Sequence, residues 1–139
     1  MTQPSHYRPR QLSLGPLERE ILDLIWQLNG ATVRDVHDRI LADPDRELTY
    51  SSVTTVLRRL TDKGWLRCDK QERTFCWYAR VSRAEAQSIW AQEQLEAFLA
   101  VGNPDVVAAF ADRIDADSIE RLDAIASRLK AARKAREES

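Results

Sequence analysis

Between Ser51 and Lys63 the chain places short hydroxyls and long cations at one set of positions and aliphatics at another. Val53, Val56, Leu57 and Leu60 recur at i, i+3, i+4 and i+7, the period of a helix with one buried stripe. At about 100° per residue, Ser51, Thr55 and Arg58 then point away from that stripe, with Ser52, Thr54 and Arg59 on its flanks. Short side chains near a helix N-terminus allow close approach to a major groove. Hydroxyls there meet base edges or phosphate, and an arginine chelates the O6/N7 edge of guanine. The helix N-terminus itself favours phosphate. Polar faces also belong to ordinary solvated helices, so the pattern alone leaves that second reading open.

Further along, Lys70 and Arg73 flank the charged turn Lys70-Gln71-Glu72-Arg73, and Arg67 and Arg80 lie on the runs entering and leaving it. Phe75, Trp77 and Tyr78 favour strand over helix, so residues 65–69 and 74–80 read as a hairpin. Cations on such a hairpin suit DNA phosphates, contacts that position a protein without carrying much sequence information. The alternative is a charged turn kept soluble.

The formal net charge of −1 argues against a nucleic-acid binder when taken alone. Its distribution argues the other way. Residues 48–80 carry seven basic side chains against three acidic ones, whereas residues 30–47 carry three against five and the chain beyond Val81 eight against eleven. A basic segment inside a near-neutral chain is an electrostatic footprint for phosphate.

Other chemistries lack their residues. With two cysteines and two histidines, the chain supplies neither a disulfide scaffold nor four closely spaced zinc ligands, so no metal or cofactor is expected. No Ser/His/Asp or Cys/His constellation falls on assignable elements, and His37 reads as a surface or helix-junction residue, so no enzyme is expected. The glycines are isolated and form no phosphate loop. Asp43-Pro44-Asp45 and the acids of residues 112–117 lack calcium-loop spacing. No apolar run reaches 18 residues and the first ten lack an apolar signal core, so a cytoplasmic protein without membrane insertion is expected. Cys68 and Cys76 fall on the two arms of the hairpin. They are either two packed, reduced thiols or a disulfide switch that would distort it.

At 139 residues, with 43% hydrophobic and 31% charged, the chain is one compact domain or a small domain with an appendage. Residues 1–12, with Pro4, His6, Arg8, Pro9 and Arg10, read as a loose tail or as a basic arm on DNA. A first helix follows, with Ser13 as its cap and Pro16, Glu18 and Glu20 in its first turn. Leu17, Ile21, Leu24 and Leu28 form one stripe and Leu22 and Trp26 another, before Asn29-Gly30 ends the helix. Thr32 caps a second helix to about Ala42, with Val33, Val36, Ile40 and Leu41 inward. Thr49 or Ser51 caps the third, which Gly64 stops. Ser82 and Glu85 form a capping box for a helix to about Val101. Gly102-Asn103-Pro104 separates it from a short helix, residues 104–113. Asp115 or Asp117 opens a last helix whose Ile119, Leu122, Ile125, Ala126 and Leu129 form a seam close to a/d spacing. Three helices then a hairpin is the order of a winged helix-turn-helix. The fold class is mainly α with a small β-hairpin wing, divided into a tail (1–12), a winged helix (13–81) and a helical region (82–139).

Two runs carry a family likeness. The segment Leu17-Glu18-Arg19-Glu20-Ile21-Leu22-Asp23-Leu24-Ile25-Trp26 resembles the first helix of the penicillinase-repressor (BlaI/MecI/CopY) family. The run from Tyr50 through Ser51, Ser52, Val53, Thr54, Thr55, Val56, Leu57, Arg58, Arg59 and Leu60 to Gly64 is similar to its recognition helix. Phe75-Cys76-Trp77-Tyr78 followed by a Ser-capped helix also fits, and the likeness covers roughly residues 14–129.

This resemblance implies a homodimeric repressor on double-stranded operator DNA, a TACA/TGTA-type palindrome. It would be read by Ser51, Ser52, Thr54, Thr55, Arg58, Arg59 and Lys63, with Lys70 and Arg73 on phosphate. It also implies that the helices of residues 85–101, 104–113 and 116–132 intertwine with a second copy. Ile89, Trp90, Leu95, Phe98 and Leu99 are too widely spread for a lone solvated helix, and with Ile119, Leu122, Ile125 and Leu129 they form the expected dimer surface. A core shared with the same chain's N-terminal domain is the alternative. Members linked to β-lactam resistance are cleaved downstream of a membrane sensor protease, and the corresponding bond here is Ala109–Phe110, with Ala where staphylococcal members have Asn. Copper-responsive relatives carry a C-terminal cysteine cluster, and this chain has no cysteine after Cys76. The rival class is a winged helix that docks on protein rather than DNA.

Overall fold

The computed structural model describes residues 7–71, 73–100 and 103–138. It forms two compact units, Met1–Gln94 and Leu95–Ser139. The first holds α1 (Pro16–Leu28), α2 (Val33–Leu41), α3 (Tyr50–Lys63), β1 (Leu66–Asp69), β2 (Cys76–Ala79) and the first turns of α4 (Arg83–Leu99). Both strands are shorter than the sequence suggests. They pair antiparallel with Cys68 opposite Trp77 and Asp69 opposite Cys76, and Ala31 adds an isolated bridge to Trp77 on the other edge of β2.

Local chemistry fixes the helix ends. Thr32 and Asp35 exchange hydrogen bonds of 3.1 and 3.1 Å at the start of α2. The Thr49 hydroxyl oxygen accepts from the Ser52 N–H at 3.1 Å to start α3. Ser82 and Glu85 close the expected capping box on α4. The cap of α1 is Gly15 rather than Ser13, because the Glu18 carboxylate reaches back to the Gly15 N–H at 3.0 Å. Asn29 (φ 55°) and Gly30 (φ 104°) end α1 in left-handed conformations, and a Cβ at Gly30 would lie 2.4 Å from the Tyr78 ring. A side chain there would force the Tyr78 ring to move and would strain the backbone at a positive φ.

The core is apolar throughout. Ile21, Leu22 and Ile25 of α1, Val36 of α2, Val53, Leu57 and Leu60 of α3, and Trp65 and Leu66 are fully buried, each contributing about 1.5–3 kcal/mol. The stripe expected on α3 therefore faces inward, which leaves its other side to solvent.

Residues 7–12 are not loose. The Tyr7 hydroxyl donates to the Gly64 carbonyl at 2.6 Å, the Gln11 N–H to Lys63 O at 3.2 Å, and the Trp65 indole N–H to Gln11 O at 2.9 Å. Pro4 and His6 lie outside the described residues. The tail expectation fails for residues 7–12 because partners more than 50 residues away capture them. Gly64 (φ 93°) makes room: a Cβ there would sit 2.8 Å from the Tyr7 hydroxyl and 3.0 Å from the Arg10 nitrogen.

Two further expectations are corrected. Trp90, expected on a dimer surface, packs within the first unit, its ring 5.0 Å from Trp65 and 6.3 Å from Trp26. Its indole donates to Leu12 O at 3.3 Å, and Arg19 lies 4.0 Å over its ring. Ile89 beside it is half-buried, and Ala86 one turn earlier is fully buried. The start of α4 thus completes the N-terminal core, and this unit runs past Val81 to Gln94. Lys63, expected on DNA, is held internally: its ammonium straddles the Glu18 carboxylate at 3.1 and 2.9 Å and donates to Ser13 O at 3.0 Å. It ties the end of α3 to the start of α1.

That ion pair predicts an acid dependence. Burial alone would raise the Glu18 pKa, but hydrogen bonds from Lys63 and the Gly15 N–H outweigh it and hold the carboxyl below its ordinary value of 4.5. A carboxyl lowered by folding adds stability that is present above the unfolded value and lost as pH falls through the folded one. Glu18→Gln is therefore expected to flatten the fall of the urea midpoint on acidification. A fall as steep as in the parent would show that Glu18 is not its source.

The second unit holds the end of α4, α5 (Pro104–Arg113) and α6 (Ala116–Glu138). The expected end of α4 at Val101 lies outside the described residues. Asn103 caps α5, its side chain accepting from the Asp105 N–H at 2.9 Å. The Asp115 carboxylate accepts from the Ser118 N–H at 2.7 Å at the head of α6, which holds its pKa down. The Phe98 and Phe110 rings meet edge-on at 5.4 Å, yet neither α5 nor α6 has a buried residue. Among the described residues, no helix is long and apolar enough to cross a membrane.

Candidate nucleic-acid interface

The outward face of α3 carries Ser51, Thr55, Arg58 and Arg59 exposed, with Ser52 and Thr54 half-buried at its edges. Each threonine hydroxyl donates to the carbonyl one turn back, Thr54 to Tyr50 O at 3.0 Å and Thr55 to Ser51 O at 2.9 Å. With the proton engaged, each presents an acceptor lone pair and a methyl group. That pair of groups fits the amino donors of cytosine and adenine and the thymine methyl better than phosphate, which offers only acceptors. Among the described residues, Arg58 and Arg59 form no ion pair, so both guanidiniums keep their donors.

Three contacts set the angle of this helix. Arg46, in the connection between α2 and α3, grips Glu20 of α1 with two hydrogen bonds of 2.9 Å. His37 of α2 bonds the Leu48 carbonyl at 2.8 Å and stacks on the Tyr50 ring at 4.2 Å. Trp65 anchors the far end. The sequence allowed His37 either a surface or a helix-junction place and did not mark Tyr50 as its partner. An aromatic in the first helical position after a Thr cap, facing a histidine on the preceding helix, is the signal that was present.

The wing lies beside α3. Because side chains alternate across a strand, Leu66, Cys68, Trp77 and Ala79 face the core side, while Arg67, Asp69, Cys76 and Tyr78 face away. Thr54 and Arg58 of α3 and Cys68, Lys70, Phe75 and Trp77 of the wing wall a groove of about 320 Å³ between the two elements. The Lys70 ammonium lies 5.5 Å over the Phe75 ring, and Arg73 is exposed at the tip. Of the two readings of the cysteines, the same register favours reduced thiols over a disulfide switch: Cys68 and Cys76 are on opposite faces of the hairpin, and both are free. Burial also pushes the Cys68 thiol above its ordinary value of 9.0, away from reactive thiolate.

Among the described residues, no group of His, Cys, Asp and Glu could hold a metal ion. Three helices followed by a two-stranded antiparallel hairpin define a winged helix. The chain belongs to the penicillinase repressor family, whose sequence model matches residues 14–128. It is 30% identical over 96 residues to an uncharacterized 16.5 kDa protein from the ptsI 3′ region of Latilactobacillus sakei, covering 69% of this chain and 64% of that one. It is 44% identical over 52 residues to the transcriptional regulator BlaI of Mycobacterium tuberculosis, covering 37% and 36%. The chain thus spans less than two thirds of the length of these curated relatives. Apo MarR from E. coli aligns over 85% of this chain and 79% of its own, at 16% identity and a TM-score of 0.45.

Proposed function

We propose that the protein is a sequence-specific transcriptional repressor, acting in the cytoplasm as a homodimer on palindromic double-stranded DNA. Helix α3 enters the major groove with Ser51, Ser52, Thr54, Thr55, Arg58 and Arg59, and Lys70 and Arg73 of the wing sit on flanking phosphate. The observation that carries this reading is the outward face of α3, where acceptor-presenting hydroxyls precede two arginines without ion pairs. Lys63 leaves the contact set because Glu18 holds it.

The dimer surface is assigned to Leu95, Phe98, Leu99, Ile119, Leu122, Ile125 and Leu129, all exposed on one copy. Ile89 and Trp90 leave it, since they pack in the first unit. Release is assigned to cleavage of Ala109–Phe110 through a membrane-bound sensor protease answering a β-lactam or another stress. That bond lies inside α5, so cutting it would part α6 from the DNA-reading unit and undo the dimer.

Two substitutions separate the roles on a TACA/TGTA-type palindrome. Arg58→Ala is expected to weaken palindrome binding by about 1–3 kcal/mol and leave scrambled DNA nearly unchanged. Equal loss on both would remove its base-reading role. Arg73→Ala is expected to weaken all sequences evenly and to reduce the salt slope by about one. A winged helix that docks on protein would bind DNA without the steep fall in affinity that phosphate contacts impose as salt rises.

A further inference from the structure

On the side of the hairpin turned away from α3, an open cavity of about 570 Å³ lies between the wing and the C-terminal end of α1. Trp26, Asn29, Arg67, Tyr78, Arg80 and Arg83 line it. No carboxylate does, although Asp23 just outside it pairs with Arg83. Arg67 and Arg80 form no ion pair among the described residues.

Each of the three guanidiniums lies over an aromatic ring. The Arg67 carbon is 4.5 Å from the Tyr78 centroid, that of Arg80 is 4.1 Å from Tyr7, and that of Arg83 is 5.5 Å from Trp26. A cation over a ring is attracted to its face and keeps its N–H donors for other partners; Arg83 spends one of them on Asp23, whereas Arg67 and Arg80 form no ion pair among the described residues. Guanidinium forks with unused donors match the two oxygens of a carboxylate or phosphate. Backbone polar groups here are already engaged: Val81 O accepts from the Trp26 indole at 2.9 Å, and the Arg80 N–H donates to Trp65 O at 2.9 Å. The donors left over therefore belong mainly to side chains.

We infer that this cavity binds a small oxyanion, the carboxylate of an aromatic acid or a phosphate group, through Arg67 and Arg80. The Trp26 and Tyr78 side chains contribute its apolar lining. The site is separate from the DNA-facing side of α3 and sits where the wing meets α1, so it is placed to act as an effector pocket.

The test is an NMR titration of the full chain without DNA, using benzoate in one arm and inorganic phosphate in the other. The Trp26 indole N–H reports on the cavity wall, and the buried Trp65 indole reports on an intact fold. A saturating shift of Trp26 with either anion is expected, weakened at least about tenfold in Arg67→Gln/Arg80→Gln while Trp65 stays in place. The arm that saturates identifies the source of the oxyanion. Shifts that grow linearly in both arms, or saturation undiminished in the double variant, would overturn the assignment. So would a double variant that loses palindrome affinity while the parent shows no saturable anion binding, since these arginines would then be DNA phosphate contacts. None of these results bears on the role of α3.

Discussion

Replacing Leu122 and Leu129 together by lysine is expected to turn the dimer into a monomer and to lower affinity for the full palindrome by about 10²–10⁴-fold. The two side chains are 52% and 60% exposed on α6, whose single copy buries none of its residues. A 23-residue helix that shows water Ile119, Leu122, Ile125 and Leu129 at near a/d spacing has its apolar seam but no partner within its own unit. In the proposed dimer a second copy would supply that partner by two-fold symmetry, which would also match a palindrome. Lysine suits a helix, so the double variant keeps α6 while placing four charges in the dimer's seam. Joined half-sites bind as one event followed by an intramolecular second, and this gain disappears in a monomer. Sedimentation and gel shift on the palindrome and on a single half-site measure both effects. Half-site affinity should stay the same. A variant that still sediments as a dimer would remove the seam from the interface, and a monomer that binds the palindrome like the parent would refute the two-copy reading.

What could be read from the sequence was whatever rests on neighbours within a few residues. Val53, Val56, Leu57 and Leu60 announce the buried side of α3, and its exposed side follows by geometry. Thr32–Asp35, Thr49 and Ser82–Glu85 mark helix starts because caps act over three residues. Pro104 after Asn103 opens α5 for the same reason. Contacts that join distant segments leave no period. Nothing near Lys63 signals that Glu18, 45 residues earlier, takes its charge. Nothing near Trp90 signals that it closes over Trp65 and Leu12, so its size and apolarity suited a dimer surface equally well. Arg67 and Cys68 are adjacent in sequence, but the strand register sends one to the oxyanion cavity and the other to the groove beside α3. Spacing alone had allowed Cys68 to reach Cys76.

Trp65→Ala is expected to cost about 3–5 kcal/mol of folding stability, much of what a domain of this size possesses. The residue is fully buried between the C-terminal end of α3 and the first strand of the wing. Its backbone N–H donates to Leu60 O at 2.9 Å and its carbonyl accepts from Arg80, while its side chain holds Gln11 through the indole N–H and packs on Trp90, so one residue joins four segments. Removing the ring leaves a cavity against Trp90 and strands the Gln11 carbonyl. Trp65→Phe keeps most of the volume but not the indole donor, and should cost distinctly less. Urea unfolding followed by circular dichroism separates the two. If Trp65 acts on DNA binding only through folding, Trp65→Phe, once folded, should bind the palindrome with parental affinity and salt slope. A folded Trp65→Phe with weakened binding would mean that the indole–Gln11 bond sets the angle between α3 and the wing. A Trp65→Ala protein as stable as the parent would mean that these four segments are held together by other contacts, and that residues 7–12 do not brace the recognition helix.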